Sequence, residues 1–289
     1  MANARARDPV RRWCTRSTVP NSRVNYGGEV PEPLLAVIAG LVSCQLALLL
    51  TTFYLHRTLS HRAVTMRPGL AFACRATLWI STGIRPREWA AVHRRHHAYT
   101  DVVGDPHSPL LEGYWKVQLY NVGLYKKAAH DAETLRKYSR DIKRDNWDKF
   151  VFDRGFIGLV LGFGIFWALL GWRWALVAAG VHAVSYLLIN SAINAVGHRF
   201  GQRPYPGIAT NNQWLAYLTW GEGLHSNHHA APTSARFALK PHEVDIGWWV
   251  VTVFRKLRWL EVRHDEVHLT ALAQSGPGPV AEQREPELV

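Results

Sequence analysis

The sequence predicts an all-α integral membrane protein, and two observations support this fold class. Long runs without a charged residue alternate with strongly basic segments, and the longest runs have the length of membrane helices. Clusters of histidine lie directly beside the ends of these runs. We therefore expect a few transmembrane helices and one interfacial helix, capped on one side by a cytosolic helical part that carries the histidines.

The composition narrows the class of partner. The chain has 289 residues, with 34 Lys and Arg against 22 Asp and Glu, and a net charge of +12. A basic surface beside apolar runs is typical of contact with anionic lipid headgroups. The sequence contains no nucleic-acid-binding motif, so we expect no nucleic acid partner. The three cysteines are scattered and form no CxxC pair. This pattern favours a reducing, cytoplasmic environment for the polar parts of the chain.

The first predicted membrane helix covers about residues 34–55, a run of 22 residues without charge. At about 1.5 Å per residue it can cross a hydrocarbon layer of about 30 Å. The Arg-rich segment 1–32 before it has no apolar stretch of its own, so it predicts a flexible basic tail rather than a cleaved signal peptide. His56 and His61 follow the run and lie roughly 140° apart on an ideal α-helix. We therefore expect the helix to end or bend between them.

A second apolar run, residues 69–84, is 16 residues long and contains Arg75. A segment shorter than about 17 residues that carries a charge favours an interfacial or re-entrant helix over a span. A full crossing would also separate the first two histidine clusters. The polar block 85–154 that follows is predicted to be cytosolic, with a helix over residues 127–149.

Two further apolar runs, about residues 155–172 and 174–197, are separated by Arg173. They predict a hairpin of membrane helices with tryptophans at its tip. Such a hairpin places residues 198–270 on the same side as the block 85–154. Residues 33–270 then form a single domain, and the Gly- and Pro-containing segment 271–289 is predicted to be a disordered tail.

This topology places the histidine clusters on the cytoplasmic face of the membrane, which we expect to be a bacterial inner membrane. Three spans also place the Arg-rich tail on the opposite face, against the tendency for basic segments to stay inside. The block 85–154 carries many more basic residues than the tail. The side on which the tail lies is therefore open.

The histidines have the spacing of a metal site. His93, His96 and His97 share one face of a helix, because residues three and four apart are neighbours on its surface. The chain has 15 histidines, and eight of them form three clusters that are all predicted on one face of the membrane. Neutral imidazole is the commonest metal ligand. The eight residues are His56, His61, His93, His96, His97, His225, His228 and His229.

So many imidazoles exceed the needs of one ion and predict a pair of metal ions. Ligation by nitrogen alone disfavours an iron–sulfur cluster and a structural zinc site. An iron pair that binds O2 and oxidises a C–H bond and a zinc pair that supports hydrolysis both remain open on ligand type. The absence of an HExxH pattern counts against zinc hydrolysis.

Residues 34–260 resemble the membrane fatty-acid desaturases, and specifically the Δ9 acyl-CoA desaturase-like branch. The resemblance rests on five motifs: His56-Arg-Thr-Leu-Ser-His61, the stretch Glu88 to His97, Asp105-Pro-His107, the stretch Asn190 to His198, and the stretch Gly221 to His229. It implies the O2-dependent insertion of a cis double bond into a saturated fatty acyl chain, at the Δ9 position. It also implies two iron ions and O2 as co-substrate.

The resemblance further implies the roles of individual residues. It adds His198 to the eight clustered histidines as a ninth iron ligand, and it makes Asn194 a partner of one metal through water. It makes His107 a candidate to orient a ligand, and the pair Lys126 and Lys127 candidates for contact with the acyl carrier or headgroup. Electrons would come from a separate ferredoxin or cytochrome b5-like protein with its NAD(P)H reductase.

One departure from the family pattern concerns the acyl carrier. Acyl-CoA desaturases have an Arg-Asp pair that helps to hold CoA, where this chain has Ala91 and Val92. The acyl chain could therefore be linked to CoA, to a lipid or to acyl carrier protein. Two other functions remain as alternatives. A membrane di-iron hydroxylase would use the same ligands, and a membrane metal carrier would place its ligands inside the spans.

Overall fold

The computed structural model describes residues 30–264 and 266–275, and the account below concerns the unit that begins at Glu32. The predicted tails 1–32 and 271–289 lie largely outside the described residues, although residues 271–274 form a short helix. The regular secondary structure of the described part is helical except for two short strands. In chain order its elements are α1 (Glu32–Leu50), a π-helical segment (Thr51–Ser60), β1 (Val64–Met66), α2 (Pro68–Thr82), α3 (Pro86–Ala98), α4 (Pro109–Glu112), α5 (Tyr114–Ala129), α6 (Ala132–Tyr138), a second π-helical segment (Asp148–Phe152), α7 (Gly155–Ala195), α8 (Gln213–Leu218), α9 (His225–Ala230), α10 (Ile246–Lys256), β2 (Leu260–Val262) and α11 (Ala271–Gln274).

Two helices among the described residues are long and apolar enough to cross a membrane. They are Glu32–Ser60, which joins α1 to the first π-helical segment, and Gly155–Ala195. The first of these extends five residues beyond the predicted end near residue 55. The helix continues past His56 and ends at Ser60, because its backbone hydrogen bonding follows the π-helical pattern over Thr51–Ser60.

The long helix α7 consists of two arms. Gly171 has φ 75° and ψ 161°, a non-helical conformation that breaks the helix where the sequence predicts a turn. The Trp174 indole N–H donates to the Glu32 carboxylate, 2.6 Å away, at the start of α1. The Tyr186 and Thr51 hydroxyls are hydrogen bonded, 2.9 Å apart, at the other end of α1. The second arm therefore runs parallel to α1.

The first arm of α7 runs the opposite way and packs closely on α2. It begins at Gly155, which lies against the backbone of Gly83, just beyond the C-terminus of α2. Further along, Gly158 and Gly162 lie so near α2 that an added Cβ would collide with carbonyl oxygens of that helix. The two arms thus form a hairpin, with the C-terminal end of α2 against its first arm. Helix α2 corresponds to the segment 69–84 for which the sequence predicts an interfacial helix.

The prediction of one helix over residues 127–149 was wrong. Helix α5 ends at Ala129, and α6 begins after Asp131, whose side chain accepts a hydrogen bond from the Glu133 N–H. This capping interaction starts a new helix. Interleaved charges predict a solvated helical face, but they do not show where the helix stops.

The polar parts of the chain pack around the first π-helical segment, which continues α1. Strands β1 and β2 pair antiparallel, with Val64 opposite Val262. Phe53 and Leu55 of the first π-helical segment belong to one buried apolar cluster with Leu78 of α2 and Val251 of α10. This cluster joins the membrane helix to the residues that carry the histidines.

Candidate metal centre

The structure brings all nine predicted histidines together in two adjacent groups. In each group the candidate ligand atoms lie within 4.8 Å of one another. The five-histidine group consists of His56, His61, His93, His97 and His228. The four-histidine group consists of His96, His198, His225 and His229.

His56 and His61 meet because the helix that carries them is π-helical. The His61 N–H donates to the His56 carbonyl oxygen at 3.1 Å, five residues back. A bond from i to i+5 places residue i+5 above residue i, which an α-helix does not do. The two imidazole rings are 4.8 Å apart between centroids. The helix ends at Ser60, between the two histidines as predicted, and the π-helical winding, which the sequence did not predict, brings their rings together.

Each HxxHH cluster is divided between the two groups. On α3, His93 and His97 belong to the five-histidine group, and His96 belongs to the other. On α9 the division is reversed, because His228 joins the five-histidine group while its neighbours join the four-histidine group. The shared helical face predicted for His93, His96 and His97 thus lies between the two groups, and α3 and α9 each contribute to both.

The spacing of the nitrogen atoms suits metal ligation. In the five-histidine group the Nε2 atoms of His61 and His93 are 2.8 Å apart, and those of His97 and His228 are 2.9 Å apart. In the other group the Nε2 atoms of His198 and His225 are 2.9 Å apart. Two nitrogens bound at about 2.1 Å and at right angles to each other lie about 3 Å apart. The donor atoms therefore have the mutual distances of ligands around an ion.

Three carboxylates, of which Glu222 and Asp105 are buried, fix the orientation of three of these rings. Glu222 accepts from His56 Nδ1 at 2.5 Å, and the Thr52 hydroxyl also donates to Glu222. Asp105 accepts from His96 Nδ1 at 2.9 Å. Asp101 accepts from His198 Nδ1 at 2.8 Å. A carboxylate on Nδ1 holds the proton there and leaves the Nε2 lone pair for a metal.

Sequence reasoning missed the role of these three carboxylates. Asp105 and Glu222 stand inside motifs that carry the family resemblance, and Asp101 lies four residues after His97. One general rule could have indicated them: a metal-bound histidine usually donates its other ring N–H to a carboxylate or another acceptor. The pairing of each carboxylate with a histidine depends on the fold.

Burial keeps most of these histidines neutral. It lowers the pKa of His61, His93 and His97 well below the usual value, and the neighbouring imidazoles lower it further. The pKa values of His225, His228 and His229 are lowered by the same causes, so these imidazoles too are neutral at neutral pH. Burial also lowers the pKa of His198, although Asp101 opposes that shift.

The Asp105 carboxyl is charged in spite of its burial. Burial alone would raise the pKa of Asp105, but the hydrogen bond and charge of His96 lower it below the usual range. Burial would likewise raise the pKa of Glu222, but the charge of His56 outweighs this effect and lowers the pKa of Glu222. Both residues therefore accept hydrogen bonds as carboxylates at neutral pH.

His107 and Asn194 lie beside the two groups. The His107 ring is 4.7 Å from that of His96, and its two buried ring nitrogens have no hydrogen-bond partner among the described residues. Burial and the nearby His96 lower the pKa of His107 to about 3. Asn194 lines the cavity into which the histidines open. Both residues are thus near the site, as the resemblance implies.

A mostly apolar cavity of about 1130 Å³ runs along the histidines. His56, His93 and His225 form part of its wall, and it extends between α1 and α7 as far as Val42 and Phe166. At its polar end it is lined by side chains of α3 and α5, including Arg85 and Lys126. Of the predicted lysine pair, Lys126 lines the cavity and Lys127 does not.

The residue that follows His56 is held in a buried ion pair. Both oxygens of Asp245 accept from Arg57 Nη2, at 3.0 and 3.1 Å. Asp245 also accepts from the backbone N–H groups of Phe237 and Trp248, at 2.7 and 2.9 Å. Because Asp245 caps the N-terminus of α10, this helix is tied to the residue next to His56.

These features define a helical protein with two histidine groups, compatible with metal binding, on an apolar cavity. Comparison with known proteins identifies the family. The family model described as fatty acid desaturase matches residues 31–263. The chain belongs to the fatty acid desaturase family and is an oxidoreductase enzyme. The two apolar helices and the desaturase relatives together indicate association with a membrane.

Three relatives show the range of substrates in the family. The sn-2 palmitoyl-lipid 9-desaturase of Nostoc sp. (strain 36) is 31% identical over 70% of this chain and 72% of its own length. The acyl-CoA C20 Delta5-desaturase of Anemone leveillei is 30% identical, over 72% of this chain and 66% of its own. The sn-1 stearoyl-lipid 9-desaturase of Anabaena variabilis is 30% identical, over 71% of this chain and 75% of its own length.

Proposed function

We propose that the chain is an O2-dependent di-iron desaturase that inserts a cis double bond into a saturated fatty acyl chain, at the Δ9 position. One observation carries the proposal. Two groups of buried, neutral imidazoles lie side by side on the wall of a long apolar cavity. The cavity can hold an acyl chain, and the imidazoles can hold two metal ions next to it.

The nine histidines fit the family's cofactor. We assign one iron to the five-histidine group and the other to the four-histidine group, which has fewer imidazoles. Asn194 would complete the second site through water, and His107 would help to orient its surroundings. The donor set is nitrogen only and buried, which suits iron and excludes the thiolate ligation of an iron–sulfur cluster.

When bound, two iron ions supply the binding and reduction of O2. The protein supplies orientation and exclusion of water. Glu222, Asp105 and Asp101 hold three imidazoles with Nε2 directed away from the carboxylate. The apolar cavity holds the acyl chain so that one pair of its carbons lies at His56, His93 and His225. The distance from these residues to the far end of the cavity, which Val42 and Phe166 line, would then set the position of the double bond.

The overall reaction has a fixed balance. The acyl chain loses two hydrogen atoms as the double bond forms. O2 takes up those two hydrogens together with two electrons and two protons, and it leaves as two molecules of water. A ferredoxin or cytochrome b5-like protein with its NAD(P)H reductase would supply the two electrons. In this assignment the chain is an integral protein of a bacterial inner membrane with its site on the cytoplasmic face.

The structure bears on the acyl carrier at Ala91 and Val92. Both are buried, and Val92 packs against Ala128 and Ala129 of α5. The position that holds CoA in acyl-CoA desaturases is therefore apolar and covered. Lys126, on the cavity wall, is the basic residue that we assign to a headgroup or carrier, with Lys127 as a weaker candidate. A lipid-linked, a CoA-linked and a carrier-protein-linked acyl chain would all offer it a phosphate.

Reconstitution separates this function from the alternatives. The protein is loaded anaerobically with iron and reduced, and a saturated acyl substrate and then O2 are added. We expect a product two hydrogens lighter. A product that gains one oxygen would identify a hydroxylase, and unchanged substrate with transported metal would identify a metal carrier. Nearly all the candidate ligands lie outside the apolar arms, which disfavours the carrier.

A further inference from the structure

The exposed face of α10 has an unusual composition for a helix in a polar part of the chain. Trp249, Val253 and Leu257 follow one another at intervals of four residues, so they form one stripe along the helix. Their exposed fractions are 58, 53 and 58%. Trp259, just beyond the helix, is 49% exposed and continues the stripe. We call these four residues the α10 stripe.

A helix that faces water has a different surface. The exposed positions of α6 include Glu133, Arg136 and Lys137, which are charged. A helix in contact with water normally buries its apolar side and exposes its polar side. Helix α10 also buries an apolar side, which includes Val251. Its exposed side therefore requires an apolar partner of another kind.

The position of α10 along the first membrane helix identifies that partner. Phe254 of α10 packs on Phe53, with ring centroids 5.3 Å apart. Phe53 lies 19 residues after Leu34, where the uncharged run begins, and this corresponds to about 28 Å of helix. A hydrocarbon layer is about 30 Å thick. Helix α10 therefore lies at the level where the first span leaves the hydrocarbon.

The ends of the stripe have the chemistry of a membrane surface. Tryptophans are enriched at the boundary between acyl chains and headgroups. Lys256 and Arg258 are exposed beside Leu257 and Trp259. Basic residues next to an apolar stripe are typical of helices that lie in the plane of a membrane with anionic lipids.

We propose that α10 is an in-plane membrane anchor, with the α10 stripe in the headgroup–acyl boundary and Lys256 and Arg258 on anionic headgroups. The partner is the lipid surface itself. Asp245, at the N-terminus of α10, holds Arg57 next to His56. Contact with lipid at α10 therefore fixes the depth of the histidine groups relative to the membrane. This inference does not depend on the reaction catalysed.

Site-directed spin labelling of the full-length chain tests the proposal. Cys14 is changed to Ser, and Cys44 and Cys74 are buried and shielded from the label. A nitroxide is attached at Val253→Cys, with Leu41→Cys on α1, which is exposed and does not line the cavity, and Arg136→Cys on α6 as matched controls for lipid and water. Each protein is placed in nanodiscs that contain anionic lipid, with one chain per disc, so that no second protein can cover the stripe.

The measurement is the collision rate of each label with O2 and with a water-soluble nickel complex. We expect the ratio of O2 to nickel collisions at Val253→Cys to exceed that at Arg136→Cys several-fold and to approach the ratio at Leu41→Cys. A ratio equal to that of Arg136→Cys would overturn the proposal. Protection from nickel that arises only with two chains per disc would also overturn it and would identify a second copy as the partner.

Discussion

The two histidine groups share two helices but are organised differently. In the five-histidine group, one ring of five has a carboxylate partner, Glu222 on His56. In the four-histidine group, two rings of four have one, Asp105 on His96 and Asp101 on His198. The first group depends mainly on the π-helical winding and on the packing of α3 and α9. The second depends more on hydrogen bonds from acidic side chains, and it lies nearer His107.

Removal of one ligand from each group is expected to have the largest effect. His228→Ala should lower the iron content of the five-histidine group, and His225→Ala should do the same in the four-histidine group. Each variant should bind about half the iron of the wild type and lose at least about 100-fold in desaturation, since even an outer partner of a metal ligand is worth 10- to 100-fold. Elemental analysis of purified protein measures the iron.

The matched control is His242→Ala, which removes an exposed histidine outside both groups. It should retain full iron content and activity. Equal iron content in the wild type and both ligand variants would contradict the assignment.

Loss of a carboxylate partner is expected to have the next largest effect, and it allows a direct comparison of the two histidine groups. Asp105→Asn removes the charge that fixes His96, and Glu222→Gln removes the charge that fixes His56. Each should weaken iron binding by about 10- to 100-fold. Titration of the metal-free protein with ferrous iron measures this. Asp141→Asn, which alters a carboxylate bound to Arg94 rather than to a histidine, is the control.

Acid should destabilise the metal-free protein. The pKa values of His61, His93 and His97 lie well below the usual value in the folded state, so the unfolded chain binds more protons as pH falls below about 6.5. The neutral, buried histidines therefore favour the folded state above that pH, and this contribution to the free energy of unfolding is lost as the pH falls. Each such histidine contributes a slope of about 1.4 kcal/mol per pH unit.

The melting temperature of the metal-free protein between pH 7 and pH 5 measures the acid effect. It should fall steadily over this range. A melting temperature that is constant, or that rises toward pH 5, would show that these imidazoles are not buried in the neutral form.

A substitution in the membrane arms should leave both histidine groups intact. Gly162→Ala places a methyl group against the Ile80 carbonyl oxygen of α2 and should cost about 1–3 kcal/mol of stability. Gly164→Ala is the matched control, because no atom lies within 4 Å of its added Cβ. Thermal unfolding compares the two variants. Equal stability would show that the close packing of α7 on α2 is absent.

The smallest expected effect is that of Asn194→Ala. Asn194 lines the cavity beside the four-histidine group and would act on the metal through water. Its loss should weaken iron binding in that group by less than about tenfold. The change in the spectrum of the iron-loaded protein should be confined to one of the two irons. A loss as large as that in His225→Ala would make Asn194 a direct ligand instead.

The sequence predicted those features that follow from spacing and hydrophobicity. The run from Leu34 predicts the first membrane helix, Arg173 marks the hairpin within two residues of the break at Gly171, and the clusters predict a shared metal site. The structure contains the helix and the break, and it brings the histidines of the three clusters together, because each of these features depends on a local pattern.

The remaining features depend on contacts between distant residues. The π-helical winding at His56 and His61 satisfies a geometric requirement that only the partner clusters impose. The pairing of Glu222 with His56 joins residues 166 positions apart. The division of each HxxHH cluster between two groups likewise needs both α3 and α9 in place. Family resemblance supplied His198, which is one residue among many at a helix end when seen alone.

The fatty-acid profile of a host that lacks its own desaturase tests the central claim most directly. The host expresses the wild-type chain, His228→Ala or His225→Ala, at equal protein levels. We predict monounsaturated acyl chains with the wild type only, because each variant disables one of the two histidine groups. Equal amounts of monounsaturated chains with either variant would contradict the proposal that both groups act together in desaturation.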